Sequence, residues 1–116
     1  MRRYYGTDRP GTQIKVSTGY DIGGRSFLSG EYSSRGYYVY VQPVQRAPEA
    51  GDRSETITLF AGFKHLLKEV SRQGEASRRE AEGMALGMAD EFAARLAAEQ
   101  GIALNGEVEE VPDDPA

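Results

Sequence analysis

The sequence predicts an α+β fold, in which an antiparallel sheet of three or four strands is followed by two C-terminal helices packed on one face. All seven Tyr lie in the first 40 residues, whereas the first Ala is Ala47 and twelve more follow it. Tyr favours strands, while Ala together with Glu and Arg favours helices. Strands followed by helices, rather than alternating with them, are typical of the α+β class. We therefore expect one domain over residues 1–104, β-rich over 1–59 and helical over 60–104.

The charge changes sign at the same place in the chain. Through Arg46 there are seven Lys and Arg against three Asp and Glu, and from Ala47 onward there are seven against fifteen. The net charge of −4 therefore combines a basic strand-rich half with an acidic helical half. Five acids and two Pro fall in the last ten residues, so we expect residues 105–116 to be a disordered acidic tail. Its expected role is solubility, and the alternative is self-shielding of the basic half.

Three segments of the β-rich half have strand patterns. Residues 14–20 alternate apolar or β-branched side chains with polar or small ones, which is the period of a half-buried strand. A turn is expected at Gly23 and Gly24, because glycine tolerates positive φ angles, and a short run at 26–28 follows it. The strongest strand is 37–44, which is apolar on both faces and is therefore central or covered on its second face. Pairing should weaken at Pro43, which has no N–H to donate.

The segment 55–59 is ambiguous between two structures. Its β-branched alternation favours a fourth strand, paired as a hairpin with 37–44. Ser54 could instead cap the start of a helix. We favour the strand.

Two helices are expected in the second half. From about Phe60 apolar residues recur at intervals of three and four, and this pattern ends near Gly74. A longer helix is predicted over residues 75–100, with Gly101 as a left-handed C-cap. Gly83 and Gly87 lie four apart inside it, where each costs about 1 kcal/mol relative to Ala. We favour tight packing of these glycines on the sheet or on the first helix, and the alternative is a homodimer through this helix.

Several classes of function are disfavoured by composition. There is no Cys and one His, His65, which is too few ligands for a transition-metal site and offers one base at most for nucleophilic catalysis. The glycine-rich stretch 19–26 lacks the Gly-Lys-Ser/Thr ending of a phosphate-binding loop, so a hairpin turn is the favoured interpretation. We therefore expect no enzymatic activity, no metal and no cofactor. No run is long and apolar enough to cross a membrane, and an initial Met-Arg-Arg-Tyr-Tyr-Gly is unlike a secretory signal, so we expect a cytoplasmic protein.

The second face of the central strand is the candidate binding surface. This face contains Tyr38, Tyr40, Gln42 and Val44, of which the first three are candidate binding residues, and the adjoining turns carry Arg25 and Arg35. Tyr is enriched at protein interfaces, which favours a non-enzymatic protein-interaction module with a protein partner. The alternative is a single-stranded nucleic-acid-binding protein, because aromatic side chains on a sheet stack bases and cations neutralise phosphates. No recognisable RNA-binding aromatic motif supports that alternative.

Three segments carry a resemblance. They are Gly-Gly-Arg-Ser-Phe-Leu-Ser-Gly at 23–30, Arg-Gly-Tyr-Tyr-Val-Tyr-Val-Gln-Pro-Val at 35–44, and Phe-Ala-Gly-Phe-Lys-His-Leu-Leu-Lys-Glu-Val at 60–70. Together they make residues 4–100 resemble small uncharacterised proteins of conjugative and other mobile elements of gut bacteria. The resemblance transfers no catalytic or binding residue. It implies a setting in which small non-enzymatic proteins act as accessory or inhibitor proteins and bind proteins or DNA.

Overall fold

The structure is a computed structural model that describes residues 1–46, 56–57 and 61–112. Its elements, in chain order, are β1 (Arg2–Thr7), β2 (Thr12–Asp21), β3 (Gly24–Arg25), β4 (Tyr32–Ser33), β5 (Gly36–Gln45), β6 (Thr56–Ile57), β7 (Phe63–Glu69), α1 (Glu75–Gln100) and β8 (Leu104–Val111). The predicted α+β class with an antiparallel sheet is confirmed.

The main sheet is antiparallel and has five strand positions. Its order is β8, β1, β2 and β5, followed by a last position that β6 and β7 share along the outer side of β5. The long strand β5 is therefore central, as its two apolar faces predicted. Val41 is the last β5 residue paired with β7, and Val44 is the first paired with β6. Pro43 lies between these pairings, where a residue without an N–H is tolerated. The sheet is wider than the predicted three or four strands.

The prediction of a first helix, from about Phe60 to near Gly74, is wrong. Residues 63–69 form strand β7, whose register places Val39 opposite His65 and Val41 opposite Phe63. A short apolar run fits both a strand and a buried helix, so periodicity does not separate them. The unpaired outer edge of β5 decides between them, because the N–H and C=O groups of a central strand need partners on both sides. Of the predicted fourth strand, Thr56–Ile57 pairs with β5 as expected; Glu55 and residues 58–59 lie outside the described residues.

The predicted disorder of residues 105–116 is wrong for the part that the structure describes as a strand. Residues 104–111 form β8, an edge strand that pairs with β1. Most side chains of β8 are exposed and polar or acidic, which is why the composition of this segment predicts a disordered tail. Its backbone is nevertheless paired with β1. Ion pairs of Glu110 with Arg3 and of Glu109 with Arg46 join this acidic strand to the basic half of the chain. Residues 113–116 lie outside the described residues.

The predicted second helix is confirmed as α1, with Gly101 in the left-handed conformation at its C-cap. It packs on one face of the sheet through a stripe of alanines spaced four apart, Ala81, Ala85, Ala89 and Ala93, which are fully buried with Ile14, Val16, Val39 and Val41 of the sheet. Gly83 and Gly87 lie on exposed positions, and a Cβ added at either would meet no other atom within 4 Å. The prediction that these glycines pack on the sheet or on a first helix is therefore wrong.

No helix within the described residues combines the length and the hydrophobicity that crossing a lipid bilayer requires.

Candidate functional site

The strands β3 and β4 form a small hairpin apart from the main sheet, and we call residues 22–35 the exposed hairpin. Four large apolar side chains of this segment are exposed: Ile22 by 70 %, Phe27 by 101 %, Leu28 by 77 % and Tyr32 by 74 %. They are the four most exposed large hydrophobic residues of the part of the chain that the structure describes. Single apolar residues on a surface are ordinary, whereas large contiguous apolar patches are typical of interaction sites.

The connection from β2 to β3 needs glycine. Gly23 and Gly24 have positive φ angles of 71° and 107°, as expected. The predicted turn is misplaced, however, because Gly24 belongs to β3 and the chain reverses at 27–29. A Cβ on Gly23 would lie 2.7 Å from the carbonyl oxygen of Ser33 on the returning strand. The Oδ1 atom of Asp21 accepts a hydrogen bond from the backbone N–H of Gly23 at 2.7 Å. The chain therefore leaves β2 along a defined path.

The other end of the hairpin is tied to the body of the protein. Arg35 donates from Nε to the carbonyl oxygen of Ile22 at 2.9 Å, which joins the two ends of the hairpin. The backbone N–H of Val70, just after β7, donates to the carbonyl oxygen of Arg35 at 3.1 Å. These contacts hold the base of the hairpin in place, while its apolar tip, Phe27 and Leu28, is exposed to solvent.

Two of the predicted site residues lie on the hairpin itself. Arg25 is exposed and donates from Nη1 to the carbonyl oxygen of Gly30 at 3.1 Å. Arg35 is exposed at the base. In the described residues neither guanidinium has a carboxylate within ion-pair distance, so both positive charges are open to a partner.

The other three predicted residues lie on β5, with different outcomes. Tyr38 is only 4 % exposed, and its hydroxyl donates to the carbonyl oxygen of Ser34 at 2.6 Å. Tyr38 is therefore a buried residue that fixes the returning end of the hairpin. The prediction that it belongs to an exposed binding surface is wrong. Tyr40 is half-buried, and its hydroxyl donates a hydrogen bond to Oδ2 of Asp21 at 3.5 Å. Gln42 is half-buried opposite Lys15 of β2, where it has no part in the hairpin.

A small electrostatic network surrounds Asp21. The Nζ atom of Lys64 lies 3.6 Å from Oδ2 of Asp21 and 4.7 Å from the centre of the Tyr38 ring. The hydrogen bond from Gly23, and then the charge of Lys64, hold the pKa of Asp21 below its usual value against the opposing effect of burial. Burial and the neighbouring carboxylate raise the pKa of Tyr40 to about 12.

A cleft of about 400 Å³ lies at the base of the hairpin, between it and the end of β7. It is lined by Ile22, Gly23, Gly24, Tyr32, Arg35, Glu69, Val70 and Ser71. Its wall combines polar and apolar surface in similar amounts, with one cation and one anion among the lining residues. Glu69, like Arg35, has no ion-pair partner within the described residues.

The exposed apolar tip is not predicted from the sequence, because the pattern of residues 26–28 predicts a short strand, whereas residues 27–29 form a turn. The sequence does contain one indication of this tip. Phe27 and Leu28 stand between Ser26 and Ser29-Gly30, and clusters of Ser and Gly are typical of turns and loops rather than of strands.

The described residues contain no group of three or more His, Asp or Glu side chains that could hold a metal ion. His65 lies exposed on β7, with its ring centre 5.4 Å from that of Phe92. It is a strand residue, unlike the helix residue that was expected.

No protein-family model, curated protein or solved structure matches this chain.

Proposed function

We propose that this chain is a non-enzymatic protein-interaction module and that the exposed hairpin is its contact element. The observation that carries the proposal is the joint exposure of Ile22, Phe27, Leu28 and Tyr32 on a segment whose base is held by hydrogen bonds. Each square ångström of apolar surface removed from water contributes about 25 cal/mol. An anchored segment also loses less conformational entropy on binding than a free loop does.

The charges on the hairpin indicate the chemistry of the partner. Arg25 and Glu31 lie on either side of the apolar tip, and both are exposed. A complementary surface therefore has an apolar pocket for Phe27 and Leu28, bordered by charged groups of both signs. The resemblance to small proteins of mobile elements supports an accessory or inhibitor protein of a mobile genetic element as the form of this function.

Single-stranded nucleic-acid binding has less support. Stacking needs exposed aromatic faces, whereas Tyr4 is 1 % and Tyr38 is 4 % exposed. The aromatic residues that are exposed, Phe27 and Tyr32, lie on a segment with two cations and one acid. That is a weak electrostatic footprint for a polyphosphate backbone.

The test compares three forms of the protein in affinity capture from a lysate of the source organism, with and without nuclease treatment. The hairpin variant carries Phe27→Ser and Leu28→Ser, and the matched control carries Leu86→Ser on the exposed side of α1. We expect at least one protein to be retained by the wild type and by the control after nuclease treatment, and lost by the hairpin variant. Equal retention of every protein by all three forms would contradict the proposal.

A further inference from the structure

The exposed hairpin carries both a projection and a cavity. The projection is the apolar tip with Phe27 and Leu28, and the cavity is the cleft of about 400 Å³ at the base, whose apolar lining includes Ile22, Tyr32 and Val70. The tip does not fill its own cleft, since Phe27 is completely exposed. The pairings of Gly24 with Ser33 and of Arg25 with Tyr32 separate tip from base. The cleft is therefore not filled by the tip of the same hairpin and is open, within the described part of the chain, to another molecule.

The charges of the tip and the cleft are complementary. Arg25 and Glu31 flank the tip, while Glu69 and Arg35 line the cleft. Within the described residues none of these four has an ion-pair partner. A tip that enters a cleft of the same kind can thus pair Arg25 with Glu69, and Glu31 with Arg35.

We propose that the partner of the exposed hairpin is a second copy of this chain, in a two-fold symmetric dimer in which each tip fills the cleft of the other copy. This inference rests on the proposed function and names its partner. Two-fold symmetry requires one patch to contain both halves of the contact, and the hairpin together with the end of β7 does so. Because each contact occurs twice, the dimer contains four ion pairs, and it closes without exposing a further tip.

The dimer forms through a small surface and is therefore weak. Only the hairpin and the end of β7 take part, so the interface is smaller than the roughly 1,200–2,000 Å² of stable complexes. We expect a concentration-dependent equilibrium between monomer and dimer. This dimer is distinct from one through the exposed glycines of α1.

The test is sedimentation equilibrium of the full chain at concentrations from about 1 µM to 1 mM. We expect the average mass to rise from 12.7 kDa toward twice that value for the wild type and for the Leu86→Ser control. The variant with Phe27→Ser and Leu28→Ser should remain monomeric. Circular dichroism checks that every variant keeps the fold.

Charge reversal identifies the contact itself. Arg25→Glu and Glu69→Arg each replace two attractions with two repulsions in the dimer, so each should weaken dimerisation by about tenfold or more. The double variant restores attraction with the signs exchanged, and its dissociation constant should return to about that of the wild type.

Three results would overturn the inference: a wild type that remains monomeric throughout, a hairpin variant that dimerises like the wild type, or a double variant no better than the single ones. The affinity capture tests the proposed function separately. If the sedimentation test fails, but the hairpin variant loses a captured protein other than this chain, the proposed function stands and only its assignment to a second copy fails.

Discussion

The side chain of Tyr38 connects the main sheet with the exposed hairpin. Its ring lies beside that of Tyr40, with 6.2 Å between centres, and beneath the ammonium of Lys64. Its hydroxyl holds the carbonyl of Ser34, two residues before β5 begins. Two roles are therefore combined in one residue, burial of an aromatic ring and fixation of the chain where the hairpin returns.

Substitutions of Tyr38 should separate these two roles. Tyr38→Ala removes a buried ring and should lower the free energy of unfolding by about 3–5 kcal/mol. Tyr38→Phe keeps the ring and loses one hydrogen bond, so we expect a loss of about 1 kcal/mol. Chemical denaturation followed by circular dichroism measures both. Similar small losses for the two variants would mean that the ring is not part of the packed structure.

Asp21 makes the base of the hairpin sensitive to acid. Its pKa is lower in the folded chain than in the unfolded one, chiefly because its carboxylate accepts the N–H of Gly23. Its contribution to stability is therefore complete above the ordinary Asp pKa of about 3.9 and is lost as the pH falls through the lower folded value. An NMR titration of the Gly23 amide should have its midpoint below about 3.9. The Asp21→Asn variant should show no such step, and a midpoint at or above the ordinary value would contradict the assignment.

At the scale of elements, α1 has two sides with different requirements. The alanine stripe is buried on the sheet, and a larger side chain there would have to displace buried neighbours. The opposite side carries Gly83 and Gly87, around which there is open space. Glycine serves no packing purpose at these two positions and retains its entropic disadvantage in a helix.

Replacement of these glycines should therefore stabilise the protein. Gly83→Ala and Gly87→Ala should each raise the free energy of unfolding by up to about 1 kcal/mol, as measured by thermal and chemical denaturation. Sedimentation of the same variants tests the alternative of a homodimer through this helix, because added methyl groups would disturb a close helix contact. Unchanged association together with higher stability is the expected result, and weaker association would favour the helix dimer.

In the edge strand β8, the backbone is paired although most of the side chains are exposed. Val108 is 53 % exposed, yet it pairs with Tyr5 of β1. The strand is held through its backbone and through acids that face Arg3 and Arg46, so it needs little apolar content of its own. Charged side chains on an edge strand also discourage pairing with further chains.

At the scale of the whole molecule, the basic and acidic halves are paired with each other. Arg3 and Arg46 of the first half contact Glu110 and Glu109 of β8, and Arg3 also contacts Asp90 of α1. The first half, taken alone, is basic, but in the folded chain part of that charge is neutralised internally. This agrees with self-shielding, the alternative role considered for the acidic tail.

Internal neutralisation leads to a prediction about nucleic acids. We expect no binding of a labelled single-stranded oligonucleotide at about 50 mM salt, where electrostatic attraction to phosphates is still strong. Fluorescence anisotropy measures it, with Arg3→Ala as a variant that alters one of the internal pairs. Binding by the wild type that weakens steeply as salt is added would contradict this prediction and favour the nucleic-acid alternative.

Features set by local patterns could be predicted from the sequence. Three such features depend on a residue and its near neighbours: the period-two alternation of β2 and β5, the positive φ angles of the glycines after Asp21, and the extent of α1 with Gly101 at its end. Backbone conformational preference and amphipathic spacing act at this range. The division of charge and composition also predicted that most of the sheet precedes the long helix, but not that the strand β8 follows it.

Only the tertiary structure decided which segments completed the sheet and what remained on its outside. Residues 63–69 became a strand because β5 had an unpaired edge, and residues 104–111 did so because β1 had one. Neither edge can be located from local sequence. The same holds for the candidate site, since the burial of Tyr38 and the exposure of Phe27 depend on which distant segments cover each position. Burial and edge pairing are properties of the assembled sheet, and a local pattern does not contain them.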